Sequence, residues 1–164
     1  MKELKRILSY TRRAVDEYQM IEEGDKIAVG VSAGKDSLAL LYALAEMRRF
    51  YPKKYELIAI TVDMGFPNTS FHSIKALCEK LNVEYHIAPT QIYQIIFEER
   101  KEKSPCSLCA KMRRGVLYNT AKELGCNKVA LGHHFDDAIE TFMLNLFFEG
   151  RIGCFFPRYL PFKN

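Results

Sequence analysis

What this sequence lacks narrows it first. No apolar run approaches the length of a membrane span, so no helical span is expected in these 164 residues. The first residues, Met1-Lys2-Glu3-Leu4-Lys5-Arg6, alternate charge with apolar side chains and contain no signal-peptide core. Five cysteines, an odd number, do not make a secreted disulfide framework, so a reducing cytoplasm is the expected setting. There is no internal repeat and no low-complexity tract. With 48% hydrophobic residues and 27% charged ones, the composition excludes a disordered chain. A net charge of +4 permits an anionic partner such as RNA without demanding one.

Two common phosphate-binding signatures are missing as well. In Ile27-Ala28-Val29-Gly30-Val31-Ser32-Ala33-Gly34-Lys35-Asp36-Ser37-Leu38, Gly30 stands one residue too close to Gly34 for a Walker A loop, and Lys35 is followed by Asp36. The dinucleotide fingerprint G-x-G-x-x-G is also absent. What is present is an apolar, β-rich run, a turn of small residues, and a helical pattern immediately afterwards. A helix N-terminus offers free N–H groups and the positive end of a dipole, and small residues let an anion approach closely. The loop therefore reads as a cradle for the phosphates of a nucleotide. The plain alternative is a tight strand-to-helix turn with Asp36 or Ser37 as N-cap.

Apolar spacing sets the element order. Leu4, Ile7, Leu8, Thr11, Val15 and Tyr18 form one stripe of a helix expected from about residue 1 to 22, closed by Gly24. Strands are expected at 26–31, 55–62, 84–88 and 128–131. Helices are expected at 37–49 and along the Phe71, Ile74, Leu77, Cys78, Leu81 stripe. A short helix is expected at 92–99. Another opens at Pro105, with Leu108, Met112, Val116 and Leu117 inward. The last carries Ile139, Phe142, Met143, Leu146 and Phe147 and ends at Gly150. Alternating strands and helices predict one α/β domain over 1–164 with a doubly wound parallel sheet in three α/β/α layers. The stretch 151–164 reads as an irregular tail, the expected start of a further C-terminal part. Ligands of such sheets bind beyond the carboxyl ends of the strands. The Ser32 loop, Asp63 and the turn Gly132-His133-His134-Phe135-Asp136-Asp137 all fall there.

Three groups carry the chemistry. Ser32, Ala33, Gly34, Lys35, Asp36 and Ser37 supply amides, hydroxyls and a cation for pyrophosphate, and Asp36 suits Mg²⁺ rather than phosphate. Paired His and paired Asp in the second turn are open to a transition-metal site or to a capped helix start. Cys106 and Cys109 form a C-x-x-C, open to a redox pair, half a zinc site or half an iron–sulfur site; no second C-x-x-C completes a zinc site. Cys78 and Cys126 fall on apolar patterns and read as buried small hydrophobes. Arg113, Arg114 and the charged tract near Lys101 read either as phosphate contacts or as a solvated face.

The loop Ser32-Ala33-Gly34-Lys35-Asp36-Ser37 resembles the pyrophosphatase-type P-loop (PP-loop, S-G-G-x-D-S), with Ala33 in place of its usual second glycine. Adding Pro105-Cys106-Ser107-Leu108-Cys109 through Arg113-Arg114-Gly115, the G-H-H-x-D-D at 132–137 and Gly65-Phe66-Pro67, the chain is similar to the tRNA 2-thiocytidine synthetase family from about Lys26 to Gly150. That resemblance implies a Rossmann-like fold of the adenine nucleotide α-hydrolase type. It also implies an enzyme that splits ATP into AMP and pyrophosphate, adenylates a cytidine carbonyl oxygen and replaces it with sulfur. ATP and Mg²⁺ would meet Ser32 to Ser37, Asp63, Gly132, His133 and Asp136, with Lys35, Asp36 and Asp137 catalytic and Gly132 admitting adenine. A [4Fe-4S] cluster would use Cys106, Cys109 and a third cysteine that Cys154 does not match. The implied partners are tRNA and a sulfur donor, sulfide or a cysteine desulfurase; no membrane is involved and a homodimer is left open. Two alternatives stand beside it: adenylation without sulfur transfer, with zinc at the C-x-x-C, and a truncated nucleotide-binding module.

Overall fold

The computed structural model describes residues 2–99, 105–133, 135–150 and 152–154. Met1, residues 100–104, His134, Arg151 and the tail from 155 lie outside them. The elements run α1 (Lys2–Glu17), β1 (Asp25–Gly30), α2 (Lys35–Met47), β2 (Tyr55–Asp63), α3 (His72–Lys80), β3 (Glu84–Pro89), a π-helical turn (Gln94–Glu99), α4 (Pro105–Glu123), β4 (Lys128–Leu131) and α5 (Phe135–Glu149). The strands form one sheet in the order β3-β2-β1-β4, with every neighbouring pair parallel. The chain steps outward from β1 to β3 and then returns to the far side of β1. The order of winding therefore reverses between β1 and β4, where ligands of such sheets bind.

Side chains alternate across a strand, and the sequence of β1 and β2 uses that alternation to make two cores. Ile27, Val29 and Val31 of the β1 segment, with Leu57 and Ala59 of β2, face α1, α2 and α3, where Leu41, Met47, Ile74 and Cys78 are buried. Ala28, Ile58 and Ile60 face the other way, against Leu117 and Ala121 of α4. Ala28 and Gly30 of β1, on that second face, are small for a reason. A Cβ on Gly30 would stand 2.9 Å from Leu117 Cδ2 and 2.8 Å from Leu131 Cδ2, so glycine lets α4 settle onto the strand.

At the opposite end of the sheet from the loops, one buried carboxylate joins β1 to β4. Asp25 is 2% exposed. It accepts from Lys128 Nζ at 2.6 Å, from Asn127 Nδ2 at 2.8 Å and from the Glu22 N–H at 2.6 Å. Burial raises its pKa, but the Glu22 amide, Lys128 and Asn127 together outweigh that and hold the carboxyl below its ordinary 3.8.

Two helices leave much of their apolar stripes exposed. Helix α1 ends earlier than expected, at Glu17; Val15 is buried and Leu8 packs against the same core, whereas Leu4, Ile7 and, just past the helix, Tyr18 stay exposed. Tyr51 donates to Asp16 at 2.8 Å and ties that end to the segment after α2. On α5, Ile139, Met143, Leu146 and Phe147 of the apolar pattern are exposed, as is Leu144. Their periodicity is helical and real, but the elements described here do not cover the face. Apolar rows of this kind mark association surfaces rather than core.

A depressed carboxyl stabilises the fold above its unfolded pKa, and that stabilisation is lost as pH falls through the folded value. Asp25→Ala should therefore cost about 3 kcal/mol near neutral pH, because Lys128 and two other donors lose their acceptor. The gap to wild type should narrow below pH 4 as Asp25 protonates. Urea unfolding at pH 7 and pH 3 checks both statements.

Candidate active site

The loop after β1 is built from the backbone of Ser32 and the hydroxyl of Ser37. Ser37 Oγ lies 2.9 Å from the Ser32 carbonyl and 2.9 Å from the Gly34 carbonyl, and accepts from the Ser32 N–H at 3.0 Å. Ser32 Oγ is 3.1 Å away from it. Ser37 is 7% exposed, so its hydroxyl braces the loop from inside rather than presenting itself to a phosphate. On the strand side, Val31 N–H donates to the Ile60 carbonyl at 2.8 Å, and the buried Thr61 hydroxyl donates to the Val31 carbonyl at 2.9 Å. Thr61 was not anticipated as part of the loop. The signal was there: one hydroxyl inside the apolar run Leu57-Ile58-Ala59-Ile60-Thr61-Val62.

The helix begins at Lys35, with Gly34 as N-cap and no side-chain cap. Neither Asp36 nor Ser37 caps it, so the plain-turn alternative loses its capping residue. A helix start without a side-chain cap offers the positive end of the dipole to an anion. Ala33 fits without strain. The non-glycine residues with positive φ among those described are Gln19, Asn68 and Asn82, and Ala33 is not among them. Ser32, Ala33, Gly34, Lys35 and Asp36 are all exposed.

The end of β4 touches this helix directly. A Cβ on Gly132 would meet Ser37 N at 2.8 Å, Asp36 C at 2.9 Å and Ser37 Cα at 2.9 Å, all backbone atoms that cannot swing aside. Gly132 thus brings the two loops of the winding reversal into contact. His133 follows, half exposed, with Nδ1 3.7 Å from Asp137 Oδ2. Asp136 and Asp137 lie in the first turn of α5, where the dipole favours carboxylates, and not at its N-cap. Asp36 and His133 sit on the rim of an open cleft walled by Ile7 and Thr11 of α1 and by Ala39 and Leu40 of α2.

The third segment closes the edge from β2. Asp63 Oδ1 accepts from the Gly65 N–H at 2.9 Å, and Gly65 takes φ +81°, a conformation glycine adopts freely. Cys106 and Cys109 lie in the first turns of α4. The Cys109 thiol donates to Met64 Sδ at 3.4 Å, so the cysteine-bearing helix start meets the strand-end loop beside Asp63. Cys78 and Cys126 are buried, and burial pushes the Cys78 thiol up to about 11 and raises Cys126 as well. Arg113 and Arg114 are exposed on α4. His134 and the tract near Lys101 lie outside the described residues. Among the described residues, no three metal-capable side chains of His, Cys, Asp or Glu stand together.

A strand-to-helix loop without a side-chain cap, a glycine-packed neighbour at the winding reversal and acidic side chains spread along the carboxyl edge of the sheet suit an α/β nucleotide-binding fold. The model of the PP-loop domain matches residues 7–152. The chain belongs to the PP-loop family. It is 46% identical over 157 residues to a tRNA-cytidine(32) 2-sulfurtransferase of Geobacter sulfurreducens, covering 95% of this chain and 61% of that protein. With the protein of the same name from Geobacter metallireducens it shares 46% over 160 residues, covering 97% and 62%. The PP-loop chain thus spans about three fifths of the curated relatives it matches. Among solved structures it resembles the U34-tRNA thiolase NcsA from Methanococcus maripaludis with its [4Fe-4S] cluster, at a TM-score of 0.72 and 30% identity over 90% of this chain and 51% of that one. An NH3-dependent NAD synthetase from Campylobacter jejuni, at a TM-score of 0.51 and 17% identity over 89% of this chain and 73% of its own, shares the fold.

Gly132→Ala tests the contact at the winding reversal. The added methyl must push α2 away from β4, so thermal unfolding should show a loss of about 1–3 kcal/mol. An unchanged melting temperature would mean that the two loops are not in contact.

Proposed function

We propose that this chain carries the ATP-using part of a tRNA thiolation enzyme, acting on a cytidine carbonyl. The observation that carries the reading is the meeting of Cys109 with Met64, which brings the C-x-x-C helix to the sheet edge that also holds the PP-loop. The relatives' names give the substrate class its support.

Each absent group has a donor set that suits it. Magnesium prefers hard oxygen ligands and keeps phosphate oxygens and water in its shell, which suits the separate carboxylates Asp36, Asp136 and Asp137 better than a closed cage would. A [4Fe-4S] cluster takes thiolate ligands, and Cys106 and Cys109 would hold two of its irons, with a third cysteine outside the region matched here. Such a cluster, when bound, supplies an iron site at which inorganic sulfur can be held.

The chain's own residues then have defined tasks. The start of α2, with its dipole, and Lys35 hold the pyrophosphate end of ATP and stabilise its charge as it leaves. Ala33 and Gly34 keep the loop low enough for close approach, and Ser32 and Ser37 keep its shape. Asp63 and the Gly132–His133 backbone line the nucleoside end, where Gly132 leaves room for adenine. The cytidine carbonyl oxygen attacks the α-phosphorus, the bond to the bridging oxygen breaks, and pyrophosphate departs. Asp137, with His133 beside it, serves the reacting end. Sulfide then adds to the activated carbon, its proton is lost to solvent, and AMP leaves with the original oxygen; sulfur drawn from a cysteine desulfurase enters the same step once thiols have reduced its persulfide to sulfide. Arg113 and Arg114, exposed on α4, would meet tRNA phosphates.

Asp36→Ala and Asp137→Ala test the assignment. With ATP, sulfide and tRNA after anaerobic reconstitution, each should lower thiolation by about 10²-fold or more while tRNA binding is kept. Undiminished thiolation in either variant contradicts its role.

A further inference from the structure

Met64 is a sulfur for which the mechanism above has no use. It leaves β2 directly after Asp63, and its main chain is fixed on both sides. The Asp63 carbonyl accepts from the Thr90 N–H at 2.9 Å and from the Thr90 hydroxyl at 2.7 Å. The Met64 carbonyl accepts from the Tyr93 N–H at 2.9 Å. Gly65 is wedged so that a Cβ would stand 3.0 Å from the Thr90 carbonyl, and the Phe66 ring packs on Tyr93 at 4.8 Å between centroids. A side chain on so constrained a backbone is aimed. Met64 is aimed at the start of α4, where its Sδ receives the Cys109 thiol at 3.4 Å, with both residues half-buried.

We propose that Met64 is a positioning residue for the cysteine pair: its thioether seats the Cys109 sulfur against the loop that carries Asp63. The nucleotide edge and the sulfur-bearing helix are then joined through two consecutive residues, Asp63 and Met64. A thioether is soft and apolar. It orients a neighbouring sulfur and excludes water from it without competing as a hard ligand. For the metal-free chain the proposal stands on the contact alone; its extension to a bound cluster rests on the reading of Cys106 and Cys109 given above.

The other cysteines provide internal standards. Cys154 is exposed, while Cys78 and Cys126 are buried. In the metal-free chain, alkylation by iodoacetamide is followed at each cysteine by mass spectrometry. Met64→Ala should speed modification of Cys109 severalfold relative to Cys154, with Cys78 and Cys126 still protected. Met64→Leu, which keeps the bulk and loses the sulfur, should give a smaller rise in the same direction. An unchanged Cys109 rate in Met64→Ala with the buried pair protected overturns the proposal. If Met64→Ala exposes the buried pair, Met64→Leu decides: an unchanged Cys109 rate there overturns it. After anaerobic reconstitution with iron and sulfide, Met64→Ala should bleach in air severalfold faster than wild type. Equal bleaching overturns the role at the cluster. A wild type with no iron–sulfur absorbance at all instead overturns the cluster reading, and the alkylation rates still decide the contact.

Discussion

The β1–β4 pair is the constraint on which the rest depends. These strands are neighbours in the sheet although a hundred residues separate them, so their pairing closes the longest loop of the fold. Both ends of the pair are pinned. Where the strands start, Asp25 gathers Lys128, Asn127 and the Glu22 amide. Where they end, Gly132 lies against the backbone of Asp36 and Ser37 with no room for a methyl group. The first clamp is electrostatic and the second steric. Between them they set the separation of the two loops that would share one nucleotide.

The sheet also divides the labour between its faces. Helix α2, on the face with α1 and α3, supplies the loop amides, Lys35 and Asp36. Helix α4, on the other face, supplies the cysteines. The two halves meet only over the carboxyl edge, and the loop after β2 spans it: Asp63 on the nucleotide side, Met64 against Cys109. A scaffold of this kind keeps the reacting groups on loops and helix starts, while the buried strands hold their spacing.

Much of this was legible in the residues. Continuous apolar strands alternating with amphipathic helices require a parallel sheet, and the small-residue turn after β1 marks its ligand edge. The PP-loop match bears out the family resemblance that Ser32–Ser37 carries. Local periodicity failed where burial depends on a partner. The α5 stripe is as regular as that of α3, yet Met143 and Phe147 are exposed while Ile74 and Cys78 are buried. Nothing in a single helix's pattern says whether another layer will cover it. Inside the site, residue type did not reveal direction. Ser37 looks like a phosphate ligand in the motif, but its hydroxyl turns inward. Ala33 looks like a strained replacement for glycine, but its φ is negative and the residue sits without cost. Met64, beside Asp63 at a strand end, could not be told from a core methionine until the fold brought Cys109 to it.

The central claim is that this loop directs cleavage between the α- and β-phosphates of ATP. The direct measurement is the identity of the products when the anaerobically reconstituted protein, ATP, Mg²⁺, sulfide and tRNA are incubated and the nucleotides are separated by chromatography. AMP and pyrophosphate in equal amounts, formed only when tRNA is present, are the predicted result; ADP and inorganic phosphate would contradict it.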